Sequence, residues 1–147
     1  MMTMRVSLLL SLLLVAFPPQ THAQEPDREE RAIRRLIVDA YVTAVFVTRD
    51  DQAVRHGFHP DFMLSVHDDD QVILVPLDMW LERLELDGRP SGNTVRHEFE
   101  SVDVTAGTAT VKLQLWIDDE HVYTDYFGLY RFSDGWKIVN KIFAAHD

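Results

Sequence analysis

Between Thr108 and Ile117 the chain alternates in character. Val111, Leu113, Leu115 and Ile117 fall on one parity, and Lys112, Gln114 and Trp116 on the other. A period of two held that long is the signature of a strand with one buried face. Its neighbours read the same way. Thr94 to Thr105 is a long strand closed by Ala106-Gly107. His121 to Phe132 follows the turn Asp118-Asp119-Glu120, and Trp136 to Ala145 follows Ser133-Asp134-Gly135. The C-terminal half is thereby limited to four antiparallel strands in succession. Two irregularities stand out. Val95, His97 and Phe99 share one parity but Val102 and Val104 the other, which predicts a bulge or strong bend at Glu100-Ser101. Gly128 inside a strand predicts a bend or a close backbone approach.

The other half is helical. Ile33, Leu36, Ile37, Ala40, Tyr41, Ala44 and Val45 recur at helical spacing from a start near Asp27, and Thr48-Arg49-Asp50-Asp51 ends the run. Asp50 or Asp51 caps a short second helix carrying Ala53, Val54 and Gly57. Phe58-His59-Pro60-Asp61 reads as a turn, because Pro60 lacks a donor and biases His59 away from helix. Phe62–His67 and Gln71–Val75 form a hairpin about Asp68-Asp69-Asp70. Pro76 opens a third helix with a stripe of Leu77, Trp80, Leu81 and Leu84, and the segment 87–93 is a loop. Helices first and an antiparallel sheet after is the α+β class. The expectation is three helices on the concave face of a strongly curved, mostly antiparallel sheet, closing into a cone.

Ahead of this domain, Arg5 precedes an apolar run from Val6 to Phe17, then Pro18-Pro19 and the small residue Ala23. That is the pattern of a secretory signal peptide. The run is shorter than the roughly 20 apolar residues of a membrane span. The division expected is a signal over 1–23, a flexible leader over 24–28 and a single domain over 29–147. The mature chain would be exported, to the periplasm or the medium, with no membrane attachment after cleavage. Cleavage removes one cation, leaving 13 Lys plus Arg against 24 Asp plus Glu and a formal net charge of −11. Nucleic acid and anionic membrane surfaces both require basic patches, so neither is expected as a partner. With no cysteine, disulfide and thiol chemistry are excluded.

Several local sequences occur together in order: the Tyr41 helix, Phe58-His59-Pro60-Asp61, Leu77-Asp78-Met79-Trp80, Asp125-Tyr126, and the ending Asp134-Gly135-Trp136-Lys137-Ile138-Val139-Asn140-Lys141. As a set, spanning about Glu29 to Phe143, they resemble the nuclear transport factor 2-like superfamily, in the branch named "putative lumazine-binding". The resemblance implies a cone-shaped α+β fold, and a homodimer is expected. It implies no particular ligand, because this fold carries unrelated activities.

Within that superfamily, ketosteroid isomerase sets out a carboxylate base beside an oxyanion hole of Tyr and a protonated acid. The resemblance places Tyr41 where the isomerase tyrosine lies. The base position reads Ser65-Val66-His67, and the second acid falls near Gly128, so the carboxylates are expected to be missing. Tyr41 with His97, which shares parity with apolar Val95 and Phe99, is the weak catalytic alternative: a cofactor-free isomerase, cyclase or dehydratase. His67 beside Asp68 sits at a hairpin tip, where charge is ordinarily solvated. His56-x-x-His59 has chelating spacing, but Pro60 puts His59 outside the helix. The acidic turns lack the alternating ligands of a calcium loop. No metal and no cofactor is expected.

Binding of a small apolar or aromatic ligand fits the composition best. Tyr41, Trp80, Trp116 and Tyr126 offer aromatic walls, and His97 and Asn140 polar groups. Asn140 shares parity with Trp136 and Ile138, which predicts one common face. The same aromatics are equally the material of a core or of a dimer contact through Lys112, Gln114 and Trp116, and a cavity filled by the chain's own side chains is the third alternative. The reading favours binding over catalysis.

Overall fold

In the computed structural model, residues 27–146 are described. The expected signal over 1–23 and most of the leader lie outside them. The first helix begins where the spacing placed it, near Asp27. The Asp27 carboxylate accepts from the Glu30 amide at 2.7 Å and starts helix α1 (Arg28–Ile37). The rod continues through a π-helical segment, Val38–Thr43, into the short α2 (Ala44–Phe46). Asp50 caps α3 (Asp51–Gly57) by accepting from the Ala53 amide. Strands β1 (Phe58–Asp68) and β2 (Gln71–Pro76) form the hairpin, and α4 (Leu77–Leu84) follows Pro76. Strands β3 (Val95–Thr105), β4 (Thr108–Ile117), β5 (Glu120–Phe132) and β6 (Gly135–Ala145) complete the chain.

The six strands form one sheet in the order β2-β1-β6-β5-β4-β3. All neighbours are antiparallel except β1 and β6, which run parallel. The three helical rods cover the concave face, as the sequence pattern requires. The core between them joins Ile33, Ile37 and Val54 of the helices to Leu113, Leu115, Leu129 and Ile138 of the sheet, each fully buried.

The bulge foreseen in β3 is present: the register against β4 shifts between Phe99 and Ser101. The closeness foreseen at Gly128 is also present, since a Cβ there would lie 2.6 Å from Asn140 Oδ1. Two expectations are corrected. Phe58-His59-Pro60-Asp61 is not a turn but the start of β1. There the parallel pairing with β6 skips from Phe58 to Met63, which gives a donorless Pro60 a place in an irregular stretch. Asn140 does not share a face with Trp136 and Ile138. The register slips between Gly128 and Leu129, leaving Val139 without a partner on β5, and Asn140 turns to the exposed side while Trp136 and Ile138 stay buried.

Candidate functional site

The inner face of β5 carries Tyr123, Asp125, Phe127 and Leu129 in alternation. Opposite them on β6, Lys141 pairs with Phe127 and Phe143 with Asp125. This register makes Asp125 and Lys141 diagonal neighbours on one face of the sheet, within side-chain reach. Lys141 Nζ lies 2.5 Å from Asp125 Oδ1, with the two side chains 5% and 0% exposed.

Tyr41 completes the group from the helical layer. Its hydroxyl donates to Asp125 Oδ2 at 2.8 Å and accepts from Lys141 Nζ at 3.2 Å. The π-helical segment presents it. Ala40, Tyr41 and Val42 are all buried, although successive residues of a regular helix point about 100° apart. Segments of this kind are rare and concentrate at functional sites.

Aromatic rings enclose the ammonium. Lys141 Nζ is 4.5 Å from the ring centre of Phe143, 5.0 Å from Tyr41, 5.7 Å from Tyr123 and 6.0 Å from Phe127. Such faces attract a cation. Phe46 packs edge-on against Tyr41 at 5.2 Å and leans on Tyr123 at 6.4 Å. Phe46, Tyr123 and Phe143 are only partly buried, so these rings carry the exposure that the polar trio lacks.

Burial and charge set the proton affinities. The Tyr41 phenol is held well above its ordinary range, by burial first and by the Asp125 carboxylate second. Burial lowers Lys141 below the ordinary lysine range, and Asp125 opposes that shift. No buried side-chain polar atom among the described residues lacks a partner. The trio can therefore hold a proton donor, a carboxylate and an amine within hydrogen-bond reach of one another, in an apolar setting.

The residues singled out from sequence separate into two faces. Tyr41 and Trp80 are interior, their rings stacked at 6.4 Å. His97 is on the inner face of edge strand β3, half-buried against Phe99, and its proton affinity is lowered by burial. It bonds to neither Tyr41 nor its partners; the polar neighbours of Tyr41 are Asp125 and Lys141. Trp116, Tyr126 and Asn140 are on the outer face. Tyr126 and Asn140 line a cavity of about 590 Å³ there, with Lys112, Gly128, Tyr130 and Ile142. Trp116 lies between the guanidinium of Arg96 at 3.7 Å and the ring of His121 at 4.7 Å. The expected single pocket of six residues is thus divided by the sheet itself.

The expectation that no carboxylate attends Tyr41 is also corrected. Asp125 lies three residues before the position to which the resemblance pointed. A signal for it existed. Asp125 shares parity with Phe127 and Leu129, and Lys141 with Phe143, so each is a charge on an otherwise apolar face. His56 and His59 go separate ways: His56 borders a groove with Arg35 and Asp39, and His59 stacks on Phe132 at 4.7 Å. Among the described residues no three His, Cys, Asp or Glu side chains converge as metal ligands would. His67 is exposed at its hairpin.

The comparisons with known proteins agree with this fold. A family model described as "Putative lumazine-binding" matches residues 28–144. The chain belongs to this family. The match takes in Tyr41, Asp125 and Lys141 alike. No curated protein matches the chain. Among solved structures, a nuclear transport factor 2-like protein of unknown function from Shewanella baltica is similar at a TM-score of 0.68 and 18% identity, covering 82% of this chain and 95% of that one. Another from Methylobacillus flagellatus is similar at 0.67 and 17%, covering 84% and 97%. A third, from Silicibacter pomeroyi, reaches 0.65 and 20%, covering 79% and 94%. At these identities the likeness establishes the cone fold of this family member.

Proposed function

We propose that the protein is an exported small-molecule-binding module whose ligand is held at the Tyr41–Asp125–Lys141 end of the cone. The observation that carries this reading is the trio itself. Burying an ion pair is at best a weak way to stabilise a fold, because desolvation offsets the attraction. Three separate elements nevertheless bring these groups together inside a ring of aromatic side chains. Aromatic walls with a few converging polar groups are the make-up of a small-molecule site. The family name points the same way without fixing the ligand. A small neutral ligand with aromatic or apolar character suits these walls.

A second observation favours a homodimer. Tyr126, Tyr130, Ile142, Val72 and Leu74 are 40 to 66% exposed. All five belong to the outer sheet face, since Leu74 pairs with Ser65, which borders the same cavity as the two tyrosines. An apolar patch of this extent marks an interaction surface. A second copy, offering the same patch about a two-fold axis, is the occupant proposed.

Native mass spectrometry of the mature protein purified from its own host tests both statements. The expected spectrum is a dimer carrying a discrete small adduct, with an N-terminus beginning after Ala23. A bare monomer would overturn both.

A further inference from the structure

The chain has three lysines, Lys112, Lys137 and Lys141. Two of them are tied to surface carboxylates, Lys112 to Glu100 at 2.7 Å and Lys137 to Asp134 at 3.2 Å. The third is enclosed with a carboxylate and a phenol. We propose that Lys141 captures a small neutral carbonyl compound, an aldehyde or ketone, as a protonated imine within the cone. This rests on the binding reading above and names the ligand class of the same site.

The groups needed are in place. An amine adds to a carbonyl carbon only as the free base, and desolvation is a standard way of making a lysine nucleophilic. Asp125 Oδ1, 2.5 Å from Nζ, is the immediate acceptor for the proton the ammonium must shed. Tyr41 Oη, 3.2 Å from Nζ, carries a hydroxyl proton and stands beside the point where the carbonyl oxygen is converted to a leaving water. Its raised proton affinity keeps that donor loaded. The balance closes without an added reagent. A carbon–nitrogen double bond forms and the carbon–oxygen bond breaks. Two of the three ammonium protons leave with the oxygen as water, and the third stays on nitrogen. The positive charge is conserved, so the protonated imine remains paired with Asp125 and within the faces of Phe143, Tyr41, Tyr123 and Phe127, where Lys141 Nζ already lies.

The same groups select the ligand. Asp125 already neutralises Lys141, and among the described residues no second cation bonds to the trio. A 2-oxo acid would bring an unpaired carboxylate into an apolar site, at a high desolvation cost. A neutral aldehyde or ketone brings none. Of the rings around the site, Phe46, Tyr123 and Phe143 are only partly buried, and the proposed entry is past them.

The test is reductive trapping. Folded wild-type protein is incubated with propanal and cyanoborohydride at neutral pH, then digested, and alkylation is timed at each lysine. The expected result is Lys141 alkylated several-fold faster than Lys112 and Lys137. Tyr41→Phe slows capture at Lys141 and leaves Lys112 and Lys137 unchanged. Lys141→Arg, which keeps the charge beside Asp125, abolishes the fast phase. Alkylation of Lys141 no faster than of the two surface lysines, or only after denaturant is added, overturns the proposal. If trapping fails while native mass spectrometry still shows a non-covalent adduct, the imine is wrong and the binding reading stands. Loss of both removes the site altogether.

Discussion

Tyr41 and Asp125, 84 positions apart in the chain, are joined in the interior by a hydrogen bond of 2.8 Å from the phenol to the carboxylate. This contact ties the helical layer to the middle of the sheet. Because the acceptor is also the counter-ion of Lys141, it links a packing feature to an electrostatic one. The consequences of breaking it differ according to which member is removed.

Removing the carboxylate is the most damaging change. Asp125→Ala leaves Lys141 buried without a partner, and cases of that kind lose about 3–5 kcal/mol. The double substitution Asp125→Leu with Lys141→Met removes both charges and recovers most of the loss. Urea unfolding of the two single variants and the double variant measures the coupling.

Removing the phenol costs less, about 1.5–3 kcal/mol for a hydrogen bond to a charged acceptor. It also changes the alkaline limb of stability. The folded state holds the Tyr41 proton more tightly than the unfolded chain does, around its ordinary value of 10.0. Stability from this group is therefore complete below about pH 10 and lost as pH rises toward the folded value. Tyr41→Phe is expected to flatten that decline, read by thermal melts at increasing pH. In wild type, ultraviolet titration should show Tyr41 ionising only as the fold opens.

His97 acts at the opposite end of the pH scale and with opposite sign. Burial lowers its proton affinity in the folded state below the ordinary 6.5. The unfolded chain binds the proton first, so stability is intact above about 6.5 and falls as pH drops toward the folded value. The effect is shallow because the ring is only half-buried. His97→Gln is expected to reduce the slope of Tm against pH between about 5 and 7. An unchanged slope would assign acid sensitivity to other groups.

Gly57 is where helix α3 meets the rod that carries Tyr41. A Cβ at this position would lie 2.2 Å from Ala40 Cβ and 3.1 Å from Leu36 Cδ1. The Leu36 methyl can turn aside, but Ala40 Cβ cannot yield without moving a helix. Gly57→Ala is expected to lose about 1–3 kcal/mol, the usual range for overpacking. Since Ala40 precedes Tyr41, the same variant should weaken ligand retention, which chemical unfolding and native mass spectrometry would show together.

Much of the architecture was legible in the sequence, because periodicity reports which side of an element is buried. The α+β order, the Asp27 start and the Pro76 start follow from local rules, and so do the parity switch before Ser101 and the close approach at Gly128. The site was only half legible. Parity carries through a strand only while its register holds, and the slip beside Val139 reversed Asn140 relative to Trp136. The aromatics were grouped by chemistry, and the sheet then placed Tyr41 and Trp80 on one side and Trp116 and Tyr126 on the other. Asp125 and Lys141 were visible as lone charges among apolar residues. Their partnership depends on β5–β6 register, which no single-strand pattern contains.

The proposed ligand site lies on the inner side of the sheet. Native mass spectrometry of wild type beside Tyr41→Phe and Tyr126→Glu, each purified from the original host, distinguishes this placement from an outer one. An adduct is expected on wild type, with its loss or marked reduction in Tyr41→Phe and its retention in Tyr126→Glu, where only the dimer is weakened. An adduct that survives Tyr41→Phe and disappears with Tyr126→Glu would place the ligand in the outer cavity and overturn the inner site.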